Sequence, residues 1–164
     1  MSLKRVALVT GSAGFIGSFV CRSLLDHGWR VVGLDNMSDY YDVGLKESRE
    51  AMLLPSHDYV AIRGKVEDPE LLMSIFKAEN PILVIHLAAQ AGVRYSLKNP
   101  RAYLETNIVG TFELLEAARA FPPEHMLLAS TSSAYGANDL MPYCETHKTD
   151  HQMSFYAATK KSTE

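Results

Sequence analysis

Apolar runs alternate along the chain with stretches whose apolar residues recur at helical spacing. Short apolar runs between turn residues are typical of buried strands, and longer stretches with a 3.6-residue period are typical of helices. The pattern predicts strands at residues 6–10, 31–35, 59–62 and 82–87, and a fifth from residue 126 to 129. It predicts helices at residues 15–27, 69–78 and 103–120, and a last one that begins at residue 154 and is still helical at residue 164.

Helix-capping and helix-breaking residues support these limits. Gly28 follows the first helix, Asp68 precedes Pro69 as an N-cap, and Pro122 and Pro123 stop the long helix. Strands that alternate with helices form a parallel sheet with crossover helices on its faces. We therefore predict an α/β fold, a Rossmann-like doubly wound parallel sheet that stops before its last strands.

A glycine-rich turn joins the first strand to the first helix. It contains Gly11, Gly14 and Gly17, spaced G-x-x-G-x-x-G, with Phe15 and Ile16 opening the helix. Glycines at this place permit a tight turn, let backbone N–H groups approach a pyrophosphate and let the helix pack close to the strand. The helix N-terminus favours the same anion. The turn therefore predicts a dinucleotide site.

An acidic residue ends the second strand, at the distance from the glycine turn where dinucleotide folds bind ribose. Asp35 can accept hydrogen bonds from the adenosine ribose hydroxyls, and its charge repels a 2′-phosphate. No arginine follows it, since the next residue is Asn36. The sequence therefore favours NAD over NADP.

Tyr156 and Lys160 lie four residues apart in the last predicted helix, so they share one face. A phenol is a poor base at neutral pH because its pKa is about 10. A nearby ammonium stabilises the phenolate and also reaches the nicotinamide ribose, which makes the pair a candidate base. The fifth strand runs into hydroxyl-bearing residues, Thr131, Ser132 and Ser133, that can hydrogen-bond a sugar oxygen.

Charge and composition narrow the function. The net charge of −3 argues against a nucleic-acid binder, and no apolar run reaches the ~18 residues that span a bilayer. Cys21 and Cys144 fit no metal-ligand spacing, and the histidines do not cluster, so we predict no metal. Two reduced thiols are typical of a cytoplasmic protein.

Together these motifs resemble the extended short-chain dehydrogenase/reductases, and among them the NAD-dependent epimerase/dehydratase family. Three segments resemble the UDP-glucuronate 4-epimerases in particular: 35–42 (DNMSDYYD), 86–96 (HLAAQAGVRYS) and 156–161 (YAATKK). The resemblance covers essentially the whole chain. It implies that residues 1–164 are an NAD-binding domain and that the sugar-nucleotide-binding domain lies outside this chain. Without that domain, we expect the chain alone to be inactive.

The resemblance also assigns roles to residues. It implies that Tyr156 is the catalytic base with Lys160 as its partner, and that Thr131 is the catalytic hydroxyl. It places the following residues at the cofactor: Gly11, Gly14, Phe15, Ile16, Gly17, Asp35, Asn36, Ala88, Ala89, Asn107, Tyr156 and Lys160. It places these at the sugar nucleotide: Gln90, Arg94, Thr131, Ser132 and Ser133.

The implied reaction is transient oxidation of the sugar at C4 by bound NAD, rotation of the 4-keto sugar and return of hydride to its other face. With glucuronate the intermediate is a β-keto acid that loses carbon dioxide easily, and Arg94 is the candidate cation that holds its carboxylate. Dehydratases of the family carry Asp-Glu where this chain has Ser132 and Ser133, and decarboxylating relatives keep a Glu at the second position. Both differences favour epimerisation.

Several alternatives and expectations stay open. The substrate can be another nucleotide sugar, such as UDP-galactose, or the chain can be a non-catalytic dinucleotide-binding module. Relatives often carry Gly-Asp after the third strand to contact adenine, whereas Lys65 follows Gly64 here and cannot accept that bond. The resemblance implies a homodimer formed by the two long helices, at residues 103–120 and from residue 154.

Overall fold

The predicted strands form one parallel sheet in the computed structural model, which describes residues 4–164. The sheet has the strand order β3-β2-β1-β4-β5, and every neighbouring pair is parallel. The order reverses beside β1, between β2 and β4, which opens a crevice at the carboxyl ends of these strands. The strands are β1 (Val6–Thr10), β2 (Arg30–Asp35), β3 (Tyr59–Arg63), β4 (Leu83–His86) and β5 (His125–Leu128).

Helices cover both faces of the sheet. The main helices are α1 (Phe15–Asp26), α2 (Val43–Leu53), α3 (Pro69–Glu79), α6 (Gly110–Ala120) and α7 (Phe155–Lys161). Two single-turn helices, α4 (Tyr95–Lys98) and α5 (Pro100–Tyr103), lead into a π-helical segment, Leu104–Val109, and a 3-10 turn covers Ser132–Tyr135. None of the helices in residues 4–164 is long and apolar enough to cross a membrane.

The core lies in two layers because neighbouring residues of a strand point to opposite faces. On one face Leu8 and Val32 pack against Phe76 of α3 and Leu114 of α6. On the other face Val9 and Val31 pack against Cys21 of α1 and Leu53 of α2. The predicted α/β fold with a doubly wound parallel sheet is therefore confirmed.

Two predicted helix limits are wrong. The long helix predicted at residues 103–120 begins at Pro100 and is interrupted by the π-helical segment. Within it the Thr111 hydroxyl donates to the Asn107 carbonyl at 2.6 Å, and such a side-chain bond competes with the regular helical ladder. The last helix ends at Lys161 rather than continuing to Glu164, because the final amides bond three residues back in a tighter turn.

Candidate active site

Two positions in the turn between β1 and α1 require glycine. Gly11 has a φ of 73°, and a Cβ there would lie 2.8 Å from the backbone nitrogen of Ala88. A Cβ at Gly17 would lie 2.0 Å from the carbonyl oxygen of Gly11. The Gly11 amide donates to the Leu34 carbonyl at 2.7 Å, which fixes the turn to the end of β2. The turn is therefore held at the carboxyl edge of the sheet.

A cleft of about 470 Å³ opens above this turn, a volume in the range of small-molecule sites. The first turn of α1 faces it, and the N-cap Gly14 offers no side-chain bond to the helix amides. Uncapped amides at a helix N-terminus attract an anion such as a pyrophosphate. The cleft contains these predicted site residues: Gly11, Gly14, Phe15, Ile16, Gly17, Asp35, Asn36, Ala88, Ala89 and Gln90.

Asp35 lies at the end of β2 in the wall of the cleft, as predicted, and is 6% exposed. The amides of Ala13 and Met37 donate to its two carboxylate oxygens at 3.1 and 2.9 Å. The ammonium of Lys46 pairs with the carboxylate at 3.1 Å. Lys46 comes from α2, whose limits were not predicted from the sequence, so this partner was missed.

A buried polar cluster lies beneath the cleft, at the ends of β1 and β4. His86 is 2% exposed, and its Nδ1 lies 2.7 Å from the Thr10 hydroxyl while its Nε2 lies 3.1 Å from the Thr111 hydroxyl. The Thr111 hydroxyl donates its proton to a carbonyl, so it accepts from Nε2–H. The Thr10 hydroxyl accepts from the Leu87 and Ala88 amides and therefore donates to Nδ1.

These bonds assign a neutral imidazole to His86, with its proton on Nε2. Burial, and next the positive charge of Lys160, lower the pKa of His86 from 6.5 to about 4. Both ring nitrogens bond to buried threonines, so His86 forms part of the structural support beneath the cleft.

Asn107 extends this cluster towards the last helix. Its amide oxygen accepts from the Gln90 amide at 2.8 Å, and its amide nitrogen donates to the Gln90 carbonyl at 3.1 Å and to the Thr159 hydroxyl at 3.0 Å. The side chain is buried, and the cleft lining does not include it. A cofactor contact for Asn107 therefore stays a prediction. Its hydrogen bonds connect the loop at Gln90 to α7.

The helix α7 carries the predicted base and its partner on one face. The Ser154 hydroxyl accepts from the Ala157 amide at 3.1 Å and caps the helix. The ring of Tyr156 meets the ring of Tyr103 edge-on, with centroids 5.9 Å apart. Lys160 is 4% exposed, and burial lowers the pKa of its ammonium. Among residues 4–164 the ammonium of Lys160 forms no ion pair.

The predicted hydroxyls of Ser132 and Ser133 lie in the 3-10 turn that packs against α7, and Thr131 precedes this turn as its N-cap. The Thr131 hydroxyl accepts from the Ser133 amide at 3.2 Å, which leaves its own proton available to a ligand. Ser132 is exposed. Arg94, in contrast, is exposed at the start of α4 and outside the cleft lining, so its predicted contact with a carboxylate stays a prediction.

The chain is similar to known proteins in both sequence and structure. Residues 8–164 match the family model described as GDP-mannose 4,6 dehydratase. The chain is 52% identical over 157 residues to a probable UDP-glucuronate 4-epimerase of Rhizobium meliloti, covering 96% of this chain and 46% of that protein.

Two crystal structures share the fold over 96% of this chain. One is UDP-glucuronic acid 4-epimerase from Bacillus cereus in complex with UDP-glucuronic acid and NAD, at 32% identity, 49% coverage of that chain and a TM-score of 0.84. The other is UDP-glucose 4-epimerase from Thermotoga maritima with UDP-glucose, at 35% identity, 48% coverage and a TM-score of 0.83. The chain thus spans about half the length of these relatives.

Proposed function

The chain belongs to the NAD-dependent epimerase/dehydratase family, and we propose that it is the NAD-binding part of a nucleotide-sugar 4-epimerase that acts on UDP-glucuronate. The observation that carries the proposal is the placement of Tyr156 and Lys160 on one helix, α7. Asn107 links this helix to the cleft, because its side chain bonds both to Thr159 of α7 and to Gln90, which lines the cleft. A module that only binds a dinucleotide has no use for this pair.

The residues of the cleft fit NAD. A Cβ at Gly11 or Gly17 would meet backbone atoms of the same chain, so these glycines permit the tight turn and the close packing of α1 that hold its first amides at the cleft. The amides at the start of α1 would hold the pyrophosphate, and Asp35 would accept from the adenosine ribose. Lys65 is exposed, while its neighbours Gly64 and Val66 line the cleft, so backbone and apolar groups would contact the adenine.

Bound NAD would supply a reversible hydride acceptor for C4 of the sugar. Tyr156 would take the proton of the 4-hydroxyl and give it back when the reaction reverses on the other face. Lys160 would stabilise the phenolate of Tyr156, and burial keeps water from competing for its ammonium. The Thr131 hydroxyl would donate to the same sugar oxygen. Burial of Lys160, which lowers the pKa of its ammonium, also strengthens the attraction of that ammonium to an anion.

Epimerisation is favoured over loss of water by the residues next to Thr131. Dehydration needs an acid and a base at the sugar, and the chain has the hydroxyls of Ser132 and Ser133 where dehydratases carry carboxylates. The family model includes dehydratases in its description, so this difference separates the two reactions within one family. Another nucleotide sugar, such as UDP-galactose, is the less favoured substrate, because relatives at 52% and 32% identity are named UDP-glucuronate 4-epimerases.

We also propose a second domain, a homodimer and a cytoplasmic location for the full-length protein. The sugar-nucleotide-binding domain would be contributed by residues outside this chain. Exposed apolar side chains on the π-helical segment and α6, among them Val109, Phe112 and Leu115, support a homodimer through this surface and α7. The free thiols of Cys21 and Cys144 suit the cytoplasm, where thiols stay reduced.

The test is an epimerase assay on the full-length protein, with UDP-glucuronate and UDP-galactose offered separately. We expect the 4-epimer of UDP-glucuronate to form, and Tyr156→Phe to abolish it. Tyr143→Phe is the matched control, since Tyr143 stacks on Tyr135 in the loop before α7. Product only from UDP-galactose would change the assigned substrate to UDP-galactose. Arg94 would then have no sugar carboxylate to bind. Turnover by residues 1–164 alone would contradict the need for a second domain.

A further inference from the structure

The carboxylate that faces the adenosine end of the cleft is already paired with a cation of the same chain. Asp35 and Lys46 have side chains only 5% and 8% exposed, and their charged atoms lie 3.1 Å apart. Both residues line the cleft. A salt bridge this deeply buried persists when a ligand enters, because separating it would leave a buried charge without a partner.

The hydrogen bonds of Asp35 leave limited room for a ligand. A carboxylate offers about four acceptor sites. One carboxylate oxygen accepts from Lys46 and from the Met37 amide, and the other accepts from the Ala13 amide. One site therefore remains for a ribose hydroxyl. The Lys46 ammonium has three donors and uses one on Asp35, so donors remain for an oxygen of the ligand.

The charge at this end of the cleft is consequently not negative. An unpaired carboxylate rejects a ribose 2′-phosphate by repulsion. Here Lys46 offsets the charge of Asp35, and Arg49 adds a second cation to the cleft lining. The Arg49 guanidinium lies 5.7 and 5.9 Å from the ring centroids of Phe15 and Tyr41, which hold it at the rim.

We propose that Lys46 is a specificity-determining residue for the dinucleotide: by neutralising Asp35 it allows the cleft to bind NADP as well as NAD. The inference rests on the proposed function, which assigns the cleft to a dinucleotide. Asp35 still favours NAD, because its remaining acceptor site can bind a ribose hydroxyl. The positive charge of Lys46, however, largely cancels the repulsion between Asp35 and the 2′-phosphate of NADP. Specificity is thus a property of the ion pair and not of the carboxylate alone.

The experiment is calorimetric titration of NAD and NADP into the full-length protein after removal of bound nucleotide, in the wild type and three variants. We expect a wild-type ratio of Kd for NADP to Kd for NAD below ~100. Lys46→Gln, which keeps a donor but loses the charge, should raise the ratio about tenfold. Asp35→Asn should lower it about tenfold, because Lys46 is then free to meet the phosphate. Lys65→Gln removes an exposed cation that does not touch Asp35 and should change the ratio less than about twofold.

The outcomes separate the inference from the proposed function. If NAD fails to bind the wild type, the cleft is not a dinucleotide site and both proposals are wrong. If NAD binds but Lys46→Gln leaves the ratio at the wild-type value, only the inference is wrong. Circular dichroism shows which variants fold. If Lys46→Gln does not fold, the wild-type ratio decides: a ratio below ~100 supports the inference and a ratio above ~100 overturns it, because an unneutralised Asp35 would repel the 2′-phosphate.

Discussion

The protonation of His86 should control the stability of the domain at mildly acidic pH. The imidazole is buried, neutral and bonded at both nitrogens, and its pKa is about 4 compared with 6.5 in the unfolded chain. Between these values the unfolded chain binds a proton that the folded chain does not. Stability therefore rises with pH in this window and is lost as pH falls through it.

The size of the effect follows from the shift. A difference of about 2.5 pKa units corresponds to about 3 kcal/mol, which is a large share of the 5–15 kcal/mol that stabilises a typical domain. Most of this, about 2 kcal/mol, should already be lost between pH 7 and pH 4.5. His86→Gln presents an amide donor and acceptor that do not titrate, so it should lack this component.

Urea unfolding of the wild type and His86→Gln at both pH values measures the component directly. All other residues are the same in the two proteins, so their contributions to the pH dependence cancel in the comparison. Nitrogen NMR of the wild-type imidazole provides the independent check and should show the proton on Nε2 at pH 7. An equal loss of stability in the two proteins, or a His86 ring that titrates near pH 6.5, would refute the reasoning.

Three further predictions concern the turn, the buried lysine and the thiols. Gly17→Ala should abolish NAD binding in calorimetry, because its Cβ would lie 2.0 Å from the Gly11 carbonyl oxygen; binding at wild-type strength would contradict this. Lys160→Met should raise the thermal midpoint by ~2–4 °C while activity is lost, because it removes a buried ammonium without an ion pair; a lowered midpoint would contradict it. Cys144 should react with a thiol reagent in the native protein and Cys21 only after unfolding, since Cys21 is fully buried and burial raises its pKa to about 12.

Elements with local signals could be predicted from the sequence. The first helix ends before Gly28, which has a φ of 77°; an added Cβ would meet no atom within 4 Å, so the backbone conformation alone requires glycine and the residue type indicates the stop. Asp68 caps α3 as predicted, by accepting from the Leu71 amide at 3.0 Å. The strands β1 and β2 were recognisable because nearly all their residues are buried on both faces and most are apolar, whereas the edge strands β3 and β5 are more exposed and were indicated by short apolar runs.

The limits of α2 could not be predicted because charged residues occupy its buried face. Lys46, Glu50 and Leu53 are its buried residues, at helical spacing, yet only the last is apolar. Each charge is compensated by a residue of a strand: Lys46 pairs with Asp35, and Glu50 pairs with Arg63 at 2.5 Å. A hydrophobic pattern cannot reveal a face that is stabilised by ion pairs across the chain. The one available signal was the helical spacing of these positions.

The polar cluster under the cleft could not be predicted from the sequence either, for a different reason. Thr10 and His86 are 76 positions apart, and Asn107 and Thr159 are 52 positions apart. Residues so far apart in the sequence give no sign that they are in contact, and only the fold brings them together. The placement of Tyr156 and Lys160 depends on these distant pairs, so the sequence indicated which residues form the site and not what holds them.

The cluster has a physical origin in the crevice itself. Where β1 and β4 part to open the cleft, the regular ladder ends. The Leu87 amide still donates to the Thr10 carbonyl at 3.2 Å, but the Ala88 amide needs another acceptor. The Thr10 hydroxyl accepts from both, and its own proton then requires an acceptor, which the Nδ1 of His86 provides. The Nε2–H of His86 in turn requires Thr111, whose hydroxyl bonds to the Asn107 carbonyl. Each step satisfies a group that the previous one leaves unpaired, so opening a ligand crevice in this sheet generates the rigid polar support on which the candidate catalytic helix rests.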